Sequence, residues 1–131
     1  MDPQAITKQF LDAYYQCMSN NRMGLLDFFT NDSCMSYEGD SYKGLAAIKE
    51  KLESMVYSAV SYNLTQIKYE FDEYDLQPSP FTDGILIVVI GGLKIEDNPP
   101  FKFTQTFQLI PNGKGGYYIH NDILRLIYGA N

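Results

Sequence analysis

Residues Gly84–Asn98 read Gly-Ile-Leu-Ile-Val-Val-Ile-Gly-Gly-Leu-Lys-Ile-Glu-Asp-Asn. The run Ile85–Ile90 is too short and too β-branched for a typical helix, and it predicts a strand with both faces out of water. Gly91-Gly92 interrupts it, as at a bulge or bend where side chains would clash. Leu93-Lys94-Ile95 resumes the strand, Glu96-Asp97 turns acidic, and Pro99-Pro100 stops the ladder. One strand therefore joins a buried centre to a negatively charged rim.

The flanking segments continue the sheet. Phe101–Leu109 alternates, with Phe101, Phe103, Phe107 and Leu109 on one face and Lys102, Thr104, Thr106 and Gln108 on the other. Pro111–Gly116 predicts a hairpin turn, Tyr117–Tyr128 a last strand, and residues 129–131 a tail. Upstream, Ile67, Tyr69 and Phe71 mark a half-exposed strand within Val60–Asp75, and Leu76–Pro80 predicts a loop. Cys34–Tyr37 predicts a short strand, turning at Glu38–Asp40 and returning through Ser41–Lys43.

Three helices precede the strands. Asp2-Pro3 is a capping side chain followed by a first-turn proline, and Ile6, Phe10, Ala13, Tyr14, Cys17 and Met18 follow at helical spacing. Met23–Phe29 predicts a short second helix, and Thr30–Ser33 a turn. Leu45 to about Met55 predicts a third helix, with Ile48, Leu52 and Met55 inward and Lys49, Glu50, Lys51 and Glu53 outward. The expectation is a single α+β domain over 1–131: three N-terminal helices on one face of a strongly curved antiparallel sheet, forming a cone with an apolar cavity. The helices cover only one sheet face. Yet Ile85–Ile90 is apolar on both, and in the last strand Tyr117, Ile119, Ile123 and Ile127 alternate with Tyr118, Leu124, Leu126 and Tyr128. Such a patch predicts a homodimer packed through the sheet face, with Ile119 at the interface.

Composition narrows the function. A net charge of -6 without clustered Lys or Arg disfavours nucleic acid and anionic membranes, and favours basic proteins or small molecules. The opening Met-Asp-Pro-Gln is unlike a signal peptide, and no apolar run reaches spanning length. Cys17 and Cys34 have no metal spacing and read as reduced thiols of a cytosolic or nuclear protein, and Asn63-Leu64-Thr65 reads as a chance glycosylation match. No cofactor or metal motif is present.

Several motifs, in order, resemble the nuclear transport factor 2 family: Phe10–Tyr15, Ser36-Tyr37-Glu38-Gly39, Lys43-Gly44 through Ala47-Ile48 to Lys51-Leu52, Gln77–Pro80, Gly92-Leu93-Lys94 with its acidic run to Pro99, Gln105-Thr106-Phe107 and Asn121–Leu126. The resemblance implies a homodimeric import carrier for the GTPase Ran in its GDP form. It also implies binding to phenylalanine-glycine repeats of nucleoporins, and residence in cytoplasm and nucleus, concentrated at the pore. By motif, Glu38 and Glu96 would pair with basic residues of Ran. Tyr37, Val88 and Leu124 would line the hollow that receives a Ran aromatic, and Ile123 would lie at the dimer interface. The chain departs from the family at Asn98, where a second rim carboxylate is usual and Asp97 stands one residue earlier. Pro3 stands where the family carries a repeat-binding aromatic, and Tyr57–Leu76 is longer than the family pattern.

Two other classes compete. An enzyme of this fold would use Asp122 with Tyr14, Tyr15 and His120 as acid–base groups. The bland reading makes Asp122 a fixer of tyrosine or backbone groups and His120 a packed residue. A scaffold dimer binding only repeat peptides would need neither Glu38 nor Glu96.

Overall fold

The computed structural model describes residues 2–128, so the expected tail at 129–131 lies outside the described residues. Helix α1 (Pro3–Asn20) starts as the sequence predicts, with Asp2 accepting a hydrogen bond from the Gln4 amide at 3.3 Å. A three-ten helix (Arg22–Phe28) follows, then β1 (Phe29–Tyr37), β2 (Asp40–Lys43), α2 (Gly44–Ser61), β3 (Ile67–Ser79), β4 (Gly84–Ile95), β5 (Phe101–Pro111) and β6 (Tyr117–Ile127). The helices pack on one face of a curved six-stranded sheet with strand order β2-β1-β6-β5-β4-β3.

The sheet is mixed, not antiparallel. β1 returns beside β6 in parallel, with Cys34 opposite Asn121 and Tyr37 opposite Leu124. The expected turn at Thr30–Ser33 belongs to β1, as an irregular stretch between the pairings Phe29–Ile119 and Cys34–Asn121. Ser33 Oγ bridges it, accepting from the Thr30 amide and donating to the Ile119 carbonyl. The expected loop at Leu76–Pro80 is mostly strand. β3 is the sheet edge, where Pro78 removes no ladder bond that the sheet needs.

β4 has the predicted bounds, and its burial alternates. Ile85, Ile87 and Val89 are buried, while Leu86, Val88 and Ile90 are each about two-fifths exposed. At Gly91 an added Cβ would stand 2.2 Å from the Glu70 carbonyl and 2.6 Å from the Phe103 ring, so only glycine fits. Opposite it β3 slips register between Phe71 and Glu73, and bulges of this kind add bend and twist. α2 is longer than predicted, because Ile48, Leu52, Met55 and Ala59 extend one stripe by another turn. Residues Tyr57–Ser61, expected to open an extended strand pair, therefore belong to α2, and β3 begins at Ile67.

The core lies between α1 and the inner sheet face. Phe107 meets Phe10 and Tyr14 edge-on, each with centroids 4.9 Å apart, and Phe10 and Tyr14 lie tilted at 5.7 Å, spacings that add attraction beyond area burial.

Candidate partner-binding site

Tyr37 ends β1 and Tyr69 lies on β3, and across the mouth of the bent sheet their hydroxyls meet at 2.9 Å. Outside this pair is a recess of about 210 Å³, walled by Met55, Ala59, Leu64, Ile67, Leu93 and Ile95. Inside it the expected deep cavity is nearly closed. Tyr14, Met18, Leu25, Met35, Leu52 and Leu124 leave only about 10 Å³, at the limit for one water. The open space therefore lies outside the Tyr37–Tyr69 pair rather than inside it.

Of the expected lining residues, Tyr37 faces the recess and Leu124 faces the small inner space. Val88 does neither. It is 42% exposed on the opposite sheet face, because strand alternation puts its buried neighbours Ile87 and Val89 inward.

Glu38 and Glu96 stand beside the recess, each one residue past a residue that lines it. Both adopt left-handed backbone, each with φ of 54°. That conformation costs a non-glycine residue about 1–2 kcal/mol, and such strain collects at functional sites. Their carboxylates offset it locally. Glu38 accepts from the Leu126 amide and, at 2.8 Å, from the Tyr128 hydroxyl. The Leu126 amide, followed by Tyr128, holds the Glu38 carboxyl below its usual range. Glu96 Oε1 accepts from the amides of Thr65 (2.6 Å) and Gln66 (3.2 Å), leaving Oε2 without a donor among the described residues. Glu96 and Asp97 also border a groove of about 750 Å³ between α1 and β3, shared with Asp12 and Glu70. Asn98 turns back on its own loop, donating to the Ile95 carbonyl at 2.9 Å.

The charged groups on the recess itself are cations, which the sequence reading missed. Lys51, expected outward on α2, lies 4.9 Å over the Tyr37 ring and 5.6 Å over Tyr42. Arg22 lies 5.9 Å over Tyr69 and donates from Nε to the Met18 carbonyl. These residues come from separate elements, and only the fold brings them together.

Of the enzyme candidates, Asp122, Tyr14 and Tyr15 form a buried network with Gln105. Asp122 accepts from the Tyr14 hydroxyl (3.0 Å) and from Gln105 Nε2 (2.7 Å), while the Tyr15 hydroxyl donates to Gln105 Oε1 (2.6 Å). Burial pushes the Asp122 carboxyl up to about 7, against the lowering effect of the Gln105 and Tyr14 hydrogen bonds. Burial first, then the Asp122 charge, raises both tyrosines. With so little enclosed space beside it, the network orders the core. His120 is not part of it, and its Nδ1 meets Asn121 Oδ1 at 2.8 Å. Among the described residues no cluster of His, Cys, Asp and Glu is placed to hold a metal ion, and no helix is long and apolar enough to cross a membrane.

The outer sheet face carries Leu86, Val88, Ile90, Ile123 and Ile127. Val88, Thr106 and Ile123 lie level across three strands. Ile119, expected on this face with Ile123, is fully buried on the other. A register slip between Gln108 and Leu109 pairs Leu109 with Ile119 and Gln108 with Asn121, so His120 is the extra residue. That single insertion reverses the alternation between Ile119 and Ile123.

Residues 6–126 match the nuclear transport factor 2 domain. Among curated proteins, the chain is 39% identical to nuclear transport factor 2 of Emericella nidulans, with 98% of each chain covered. It is 37% identical to that of Oryza sativa subsp. japonica, covering 98% of this chain and all of the relative. Among solved structures, nuclear transport factor 2 from Cryptosporidium parvum superposes with a TM-score of 0.84 at 36% identity, covering 97% of this chain and 98% of that one. These relatives carry the name of a transport factor rather than of an enzyme.

Proposed function

The chain belongs to the nuclear transport factor 2 family, and from that membership we propose that it is a nuclear import carrier for Ran in its GDP form. The observation that carries this reading is the apolar recess beside Tyr37 and Tyr69, flanked by Glu38 and Glu96 in strained turns. An aromatic side chain entering the recess contributes about 1.5–3 kcal/mol by burial, while each exposed ion pair adds about 0.2–1 kcal/mol. The aromatic therefore dominates affinity, and the carboxylates set orientation and encounter rate. Glu38, Glu96 and Asp97 are the acids that meet basic residues of Ran. Asn98, folded onto Ile95, contributes position rather than charge.

The same reading makes the carrier a homodimer through the outer sheet face, with Ile123 at its centre and Val88 level with it two strands away, across Thr106. It also includes binding to phenylalanine-glycine-repeat nucleoporins, and passage between cytoplasm and nucleus at the pore. Calorimetric titration tests the cargo directly. Ran-GDP should bind with micromolar affinity or tighter, and the GTP form hardly at all. Absence of heat with Ran-GDP would remove the carrier reading.

A further inference from the structure

The recess carries charge opposite to that of the protein as a whole. The chain has a net charge of -6, yet the ionised side chains lining the recess are Arg22 and Lys51. Neither makes a salt bridge among the described residues, where the pairs are Lys8–Asp12, Lys68–Glu70 and Lys102–Asp72. The nearby carboxylates do not line the recess: Glu38 is held by Leu126 and Tyr128, and Glu96 is held through Oε1 by Thr65 and Gln66. Arg22 and Lys51 rest instead on tyrosine faces at the recess edge. In the Tyr37–Tyr69 pair one hydroxyl donates to the other, which leaves one O–H to donate elsewhere. A guanidinium, an ammonium and a phenol thus surround an apolar box with no anion among them.

We propose that this recess is a binding site for small amphipathic carboxylates, compact arylalkanoate-type acids whose ring fills the apolar walls and whose carboxylate lies between Arg22 and Lys51. The space admits such a ligand, since about 210 Å³ far exceeds the roughly 10–15 Å³ that a single water needs. The ring is held by Met55, Ala59, Leu93 and Ile95, and the carboxylate takes charge-assisted hydrogen bonds that a neutral guest lacks. This goes beyond the carrier reading and does not need it.

The test is an NMR titration of the isotope-labelled full chain with phenylacetate, and separately with its neutral isostere phenylacetamide, in the absence of any protein partner. The expected result is saturable shifts centred on Tyr37, Tyr69, Leu93 and Ile95, with phenylacetamide binding about tenfold more weakly. Lys51→Gln and Arg22→Gln should each weaken phenylacetate about fivefold. The Lys51 ammonium makes no hydrogen bond or salt bridge among the described residues, and the one side-chain bond to Lys51, from Ser54 Oγ, goes to its backbone carbonyl, so Lys51→Gln keeps the test open if Arg22→Gln disturbs the fold. Equal affinity for acid and amide, shifts centred on another groove, or no change in Lys51→Gln would overturn the assignment. The carrier reading places a Ran aromatic in the same recess, and its own test remains the Ran-GDP titration, which can fail while phenylacetate binds and succeed while it does not.

Discussion

The two faces of β4 are built from the same residues and meet opposite surroundings. Ile87 and Val89 point inward and are fully buried under α1, while Val88 and Ile90 point outward and are 42% and 44% exposed. Nothing in side-chain chemistry separates the two sets. What differs is that the helices are spent on one face. An aliphatic row left open on a sheet is tolerated when something else covers it, which is the physical basis for the proposed dimer.

Truncation is the largest way to break this comparison. Phe107→Ala on the inner face should cost about 3–5 kcal/mol in chemical denaturation, through lost contacts and the cavity left behind. Val88→Ala should cost far less in the isolated chain. Equal costs would mean that both faces are already covered.

Acidity sharpens the comparison between interior and rim. Asp122, raised to about 7 by burial, favours the protonated folded state. The unfolded carboxyl ionises first, so stability should fall by on the order of a few kcal/mol as pH rises from about 4 to about 7. Glu38 has the opposite sign. Its lowered carboxyl adds stability that is complete above the ordinary glutamate range and is lost as pH falls below it. Urea midpoints across this range should show the Asp122 slope flattened in Asp122→Asn and the acid limb reduced in Glu38→Gln. A flat wild-type profile between pH 4 and 7 would show that Asp122 is ionised throughout.

Smaller effects follow on the outer and rim residues. Ile123→Glu should leave the fold intact and give monomers by light scattering, since the side chain is 50% exposed without a partner. A surviving dimer would move the interface elsewhere. Glu38→Lys should weaken Ran-GDP binding, with only a modest loss of stability from the missing Leu126 and Tyr128 bonds. Unchanged affinity would displace the rim.

Local pattern carried much of this fold. The bounds of β4, the Asp2 cap and the inward aromatics of β5 were legible because each depends on neighbours in sequence. The parallel pairing of β1 with β6 was not, since it depends on a contact across most of the chain. Ile119 and Val88 were misplaced for different reasons. At Ile119 a single extra residue reversed the alternation, whereas Val88 lies in a run apolar on both faces that leaves direction undecided. The α2 extension did leave a signal, in the continued spacing of Met55 and Ala59. Arg22 and Lys51 left none, because their common position exists only once three elements have packed.

Both faces can be tested together by sedimentation velocity on the protein mixed with Ran-GDP. The account predicts one complex with the mass of two chains and two Ran molecules, one at each recess. A single chain sedimenting alone, with Ran-GDP left free, would contradict it.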